Sequence, residues 1–171
     1  MKKILLIVAL FFSALPVFAQ APEVMVESDG TKVLKGFVNK QLLTADPSFA
    51  WFAENQKGYT PNAMALQALK NSKDSLRFLV FGGTWCGDTK FVLPKFFALS
   101  DAAGVSQDRI TLLGVDRSKK TIQHLSETFN ITNVPTIIVL KDGKEIGRVV
   151  EYGTSGTFDK DLGEIISTKG K

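Results

Sequence analysis

Of the 171 residues, one carries a thiol, Cys86, and one carries an imidazole, His124. Together they make no metal-ligand set, since a structural zinc takes four such groups, so no metal site is expected. His124 reads as a surface or packing residue. The thiol has a more telling setting. Gly82 and Gly83 precede it and Gly87 follows it, which points to close backbone approach at a turn and not to an ordinary core position. Cys86 lies between an apolar run, Arg77 to Phe81, and a helical stretch that starts at Gly87. Its sulfur would therefore meet free backbone N–H groups and the positive end of a helix dipole. Both favour the thiolate, which is the nucleophilic form. The competing reading is a small buried hydrophobe.

Two neighbours bear on that sulfur. Asp88, in the first helical turn, complements the dipole, yet its charge opposes a nearby thiolate. The residue types leave the balance open, and a solvated surface charge is the plainest reading. Thr89 stands one turn after Cys86, where its hydroxyl could donate to the sulfur but could not act as a thiol.

The segment Phe81 to Pro94 reads FGGTWCGDTKFVLP. It resembles the thioredoxin active-site segment: a strand, then W-C-G-P-C-K, then a proline four residues after the lysine. Trp85, Cys86, Gly87, Lys90 and Pro94 fall in place. Asn133-Val134-Pro135-Thr136 is similar to the family's V-P-T segment, whose proline is cis and lies against the active cysteine. Lys141-Asp142-Gly143-Lys144 matches the family's hairpin turn, and Gly153 and the last helix sit where the pattern has them. The resemblance runs from Arg77 to Thr168. It implies an α/β thioredoxin fold, a mixed four- to five-stranded sheet with helices on both faces. It also implies a kink at Pro94 and a catalytic Cys86 supported by Trp85, Gly87, Asp88, Thr89 and Pro135. The substrate groove would be lined by Val134, Pro135 and Thr136.

The chain departs from the pattern at three places. Thr89 replaces the second cysteine, Asp88 replaces the motif's proline, and Val80 stands where the family carries a buried acid. A dithiol reductase attacks with its first cysteine and breaks the mixed disulfide with its second. Here that second step has no internal nucleophile. The leading expectation is therefore a single-thiol protein of thiol–disulfide exchange, acting on protein or small-molecule thiols and disulfides without a cofactor. A disulfide-linked dimer through Cys86 is a further expectation. The alternative is a non-redox module that binds extended peptide in the groove beside Pro135. A peroxidatic role is weaker, because no set of Thr and Arg around Cys86 marks peroxide activation.

The elements that must position these residues can be read from periodicity and turn chemistry. Residues 20–75 read as a leader and an N-terminal extension with two helices. Gln20 to Gly30 reads as a loose leader, and Thr31 to Leu43 holds a short strand. Asp46-Pro47 and Thr60-Pro61 are helix starts. Residues 76–171 form the thioredoxin-like domain. Arg77 to Phe81 and Arg109 to Val115 are buried strands. A helix runs from Gly87, and Ser118 caps another that reaches about Phe129. Asp142-Gly143 turns a hairpin, and Thr157 to Ser167 is the closing helix. The Asp116-Arg117 pair at a strand end reads as a loop salt bridge.

Composition excludes several classes. The chain is 44% hydrophobic and 22% charged, enough apolar material for a core without disulfide staples. Met1-Lys2-Lys3, the apolar run from Ile4 to Leu15 and the small residues around Ala19 read as a secretory signal, residues 1–19, cleaved after Ala19. An uncleaved anchor is disfavoured because the run is short. The protein is thus expected to be exported, periplasmic in a Gram-negative source and otherwise secreted, with no membrane attachment after cleavage. The net charge of +4 falls to +2 without Lys2 and Lys3. The basic residues are scattered, so nucleic acid is not an expected partner.

Overall fold

The computed structural model describes residues 21–170. The signal expected at residues 1–19 lies outside the described residues. The chain opens with a hairpin of β1 (Glu23–Val26) and β2 (Lys32–Val38), followed by α1 (Lys40–Ala45), α2 (Trp51–Glu54) and α3 (Ala63–Ser72). Then come β3 (Leu76–Gly82), α4 (Gly87–Ala103), β4 (Ile110–Gly114), α5 (Leu125–Thr128), β5 (Thr136–Lys141), β6 (Lys144–Val150) and α6 (Phe158–Lys169). The strands form one sheet in the order β1-β2-β4-β3-β5-β6, with β3 and β4 parallel and every other pair antiparallel.

The four central strands match the expectation from the resemblance. The sheet has six strands and not four to five, because residues 23–38 add a hairpin beyond β4. Its turn carries the signal that identifies it: Asp29-Gly30, with Gly30 at φ +82° and Asp29 Oδ1 accepting from the Thr31 amide at 2.9 Å. The stretch read as a loose leader therefore contains β1.

Strand β3 alternates between two cores, as its two-residue period requires. Leu76, Phe78 and Val80 face a large core built with α3, α4 and α6. Leu79 and Phe81 face a smaller one with Leu113, Val115, Val134 and Ile138, against which Trp85 and Cys86 pack. The site is thus seated at the edge of the smaller core, while the larger one holds α4 in place.

Two helix starts differ from expectation. The cap of α3 is Asn62, not Thr60: its Oδ1 accepts from the Met64 and Ala65 amides at 3.0 and 3.1 Å. No helix starts at Ser118. Asp116 Oδ1 takes the Ser118 and Lys120 amides at 2.9 and 3.0 Å, closing a turn that competes with helix, and a 3-10 turn at Ile122–His124 and the short α5 follow.

Gly114 marks the tightest strand contact, since a Cβ there would lie 2.2 Å from the Leu34 carbonyl oxygen. Gly114→Ala is expected to lower stability by about 1–3 kcal/mol, the usual cost of overpacking. Urea unfolding measures this, and an unchanged midpoint would show that β2 can move away from β4 freely.

Candidate active site

Cys86 is the N-cap of α4, in extended backbone (φ −85°, ψ 128°), and no side-chain bond ties it to the helix it opens. The approach to it is fixed locally. The Cys86 amide donates to Gly83 O at 2.9 Å, and the Lys90 amide donates to Cys86 O at 3.0 Å as the first helical bond. Gly83 is required here because a Cβ would fall 2.7 Å from the Trp85 indole. The Cys86 thiol is half-buried and donates to the Val134 carbonyl at 3.3 Å. The Val134–Pro135 bond is cis. The fold thus brings together the two segments that the sequence singled out 48 positions apart.

The supporting residues fall differently from expectation. Thr89 is buried, and its hydroxyl accepts from the Gly83 amide at 3.2 Å. It braces the loop before the cysteine and has no hydrogen bond to the sulfur in the structure. Asp88 is not a freely solvated charge: it is half-buried and its Oδ1 accepts from the Tyr152 hydroxyl at 2.9 Å. That carboxylate, helped by burial, holds the Tyr152 phenol above its usual pKa. Trp85 Nε1 donates to Val115 O at 3.0 Å, and the Arg117 guanidinium lies 5.2 Å from its ring centroid. Gly87 is exposed at the first helical position.

Val134, Pro135 and Thr136, expected to line a groove, are buried, and the Thr136 hydroxyl donates to Asn133 O at 2.7 Å. Strand β5 lies between β3 and β6, so it offers no free edge to an added strand. What the loop presents to the site is the Val134 carbonyl, already held by Cys86. A cavity of about 610 Å³ lies between β6 and α6, lined by Val150, Thr154 and Ile165 among others, and Cys86 does not line it.

Residues 21–75 carry several supports that no motif announced. The Thr84 hydroxyl accepts from the Leu34 amide at 3.2 Å and donates to Lys32 O at 2.8 Å, tying the loop before Cys86 to β2. Glu27 pairs with both arms of Arg117 at 2.7 and 2.5 Å, and Lys35 pairs with Asp116 at 2.9 Å. Asp116 and Arg117 are therefore bound to the hairpin and not to each other. Burial pushes the Asp116 carboxyl up, but the bonds from Lys35, Lys120 and Ser118 outweigh it and hold it below its usual value. Pro94 lies inside α4 and lacks the amide that would bond Lys90 O. Asn55 Nδ2 donates to that carbonyl at 3.0 Å instead, and Gln56 Nε2 donates to Pro94 O at 3.0 Å. The C-terminal end of α2 thus supplies the bond that α4 lacks at its proline.

His124 is exposed and lies 3.8 Å from Glu127. Among the described residues no group of three or more His, Cys, Asp or Glu stands close enough to hold a metal ion.

Comparison with known proteins finds relatives for part of this chain. The chain is 34% identical over 83 residues to a thioredoxin of Echinococcus granulosus, covering 48% of this chain and 72% of that protein. It is 37% identical over 81 residues to a thioredoxin of Chlamydia muridarum, covering 47% and 69%. The crystal structure of thioredoxin NaTrxh from Nicotiana alata is similar at 25% identity and a TM-score of 0.43, covering 63% of this chain and 88% of that one. The sequence model of the Thioredoxin family matches residues 62–164. That match runs through both the Cys86 junction and the Pro135 loop, the two segments that meet at the sulfur, and on it the chain belongs to the thioredoxin family, whose general chemistry is thiol–disulfide exchange.

Proposed function

We propose that this protein carries out thiol–disulfide exchange outside the cytoplasm with Cys86 as its only thiol. The observation that carries the reading is the place of the sulfur: half-exposed, at the N-terminus of the 17-residue α4, with buried Thr89 where a second thiol would stand. The Cys86 thiolate attacks one sulfur of a substrate disulfide R–S–S–R′. The bond to the attacked sulfur forms as the S–S bond breaks, and the other half leaves as a thiolate. The mixed disulfide waits for an outside thiol, either an added one or the substrate's own second cysteine. Attack on the substrate sulfur returns Cys86 as a thiolate and moves the disulfide elsewhere. No net electrons stay on the protein, so the chemistry suits isomerisation or removal of a small thiol adduct more than net reduction.

The burial of residues 134–136 and the absence of a free edge on β5 speak against the peptide-binding alternative. Export is supported by the charged start, the apolar run and the small residues at Ala19. Cell fractionation with sequencing of the mature N-terminus tests that part, with Gln20 expected first.

The chemistry is tested by incubating the reduced protein with oxidised glutathione and measuring intact mass. A single glutathione adduct on Cys86, removed by added thiol, is expected. A protein that stays unmodified under conditions that modify a free small thiol would overturn the reading.

A further inference from the structure

Tyr152 lies in a turn fixed on both sides. Before it, the Glu151 amide donates to Pro135 O at 2.7 Å, from a backbone at φ +53°. After it, the Gly153 amide donates to Val150 O at 2.9 Å. Asp161, buried in the first turn of α6, accepts from the Thr154 amide, from the Thr154 hydroxyl at 3.0 Å and from the Ser155 amide at 3.1 Å. Gly153, at φ +81°, leaves room for that carboxylate, since a Cβ there would overlap it. A left-handed non-glycine residue and a buried acid are thus committed to one short turn. That turn carries Tyr152. Tyr152 packs against Phe91 of α4 at 5.5 Å between ring centroids and donates to Asp88 Oδ1 at 2.9 Å.

We propose that Tyr152 is a positioning residue for Cys86: it holds the Asp88 carboxylate toward the β6–α6 turn and takes up part of its charge, which would otherwise oppose the thiolate two residues away. The charged and titratable groups around this junction are Asp88 on α4, Glu151 and Tyr152 on the turn after β6, and Arg117 over the Trp85 ring from the turn after β4. On the far side of Tyr152, Lys95 lies 3.4 Å from the Phe91 ring centroid, and Tyr59 and Asp159 line the same pocket. Among the described residues, Tyr152 is the one side chain hydrogen-bonded to the Asp88 carboxylate. The thiolate carries negative charge, so an acid in the first helical turn is tolerable where a donor binds it. The phenol supplies that donor without adding a positive charge that could pair with the sulfur itself.

The inference rests on the exchange reading for its purpose, but its test needs no disulfide. The purified protein, Tyr152→Phe, Asp88→Asn and the double variant are alkylated with iodoacetamide at neutral pH, and Cys86 modification is followed by mass. Tyr152→Phe is expected to slow alkylation roughly three- to tenfold, the scale of a half-solvated charge acting on a neighbouring thiolate. In the Asp88→Asn background the same change is expected to alter the rate by no more than about twofold, because the groups act as one unit. Equal rates for Tyr152→Phe and the parent overturn the proposal. So does equal slowing in both backgrounds, which would assign Tyr152 to packing alone. Failure of Cys86 to form a mixed disulfide would sink the exchange reading and leave this cycle intact.

Discussion

Cys86→Ser is expected to abolish disulfide-linked adducts entirely while leaving the fold in place. The chain has no other cysteine, so no second sulfur can take over the attack. The structural cost is small. Cys86 is an N-cap without a side-chain hydrogen bond to its helix, and serine at such a position accepts from the first-turn amides. A cap of that kind contributes about 0.5–1 kcal/mol, so the variant should melt at the parent's temperature or slightly above it. Serine can also donate to the Val134 carbonyl as the thiol does. Trapping from cells, with alkylation to freeze exchange, reads the loss, and thermal unfolding reads the fold. Partners retained by disulfide in the serine variant would mean that the linkage never involved this chain. A variant that unfolds would mean that the sulfur is structural.

The second large effect is a gain. Thr89→Cys is expected to raise the rate at which the protein reduces a protein disulfide, with a dithiol as electron source, by about tenfold or more. On the proposed exchange reading, the unaltered protein waits for an outside thiol at each mixed disulfide. A cysteine one turn along α4 would attack from within the same helix, and a held nucleophile acts at an effective concentration far above that of a dissolved one. The site is buried, as an inward-facing partner thiol should be. The Thr89 hydroxyl does brace Gly83 at 3.2 Å, so the change should cost about 1 kcal/mol of stability. Val80, fully buried in the larger core, cannot shuttle a proton. The gain should therefore stop short of a rate in which such an acid takes part. Insulin precipitation or an equivalent turbidity assay measures the turnover. An unchanged rate in a folded variant would show that resolution is not what limits this protein.

Much of the central domain was legible along the chain because its signals are local. The apolar run at β3, the glycines at 82, 83 and 87, and the Asp142-Gly143 turn each act within a few residues of themselves. Asp142 and Gly143 indeed adopt φ +51° and +75°, as the tight hairpin requires. The Asp29-Gly30 turn carried the same signal for β1 and β2. The flanking Glu23 to Val26 is short, and β1 has only β2 to pair with, so its apolar Val24 and Val26 remain exposed and give little pattern. The helix expected from Ser118 failed for a local reason of the opposite kind. The Asp116 carboxylate captured the amides that a helix would have used.

Sequence alone thus determined which residue is the candidate thiol, its place between a strand and a helix, and the lack of a second thiol, while the resemblance to the thioredoxin pattern placed the proline segment beside it. These depend on residue type and on spacings of a few positions. Only the tertiary structure decided what surrounds the sulfur. Asp88 meets Tyr152 across 64 positions, Arg117 meets Glu27 across 90, and Asn55 completes the helix at Lys90 across 35. None of these pairs shares a periodicity or a turn. Each exists because the sheet order places β2 beside β4 and β6 beside β5, and because α2 packs on α4. Side chains at the ends of those elements then converge on one junction.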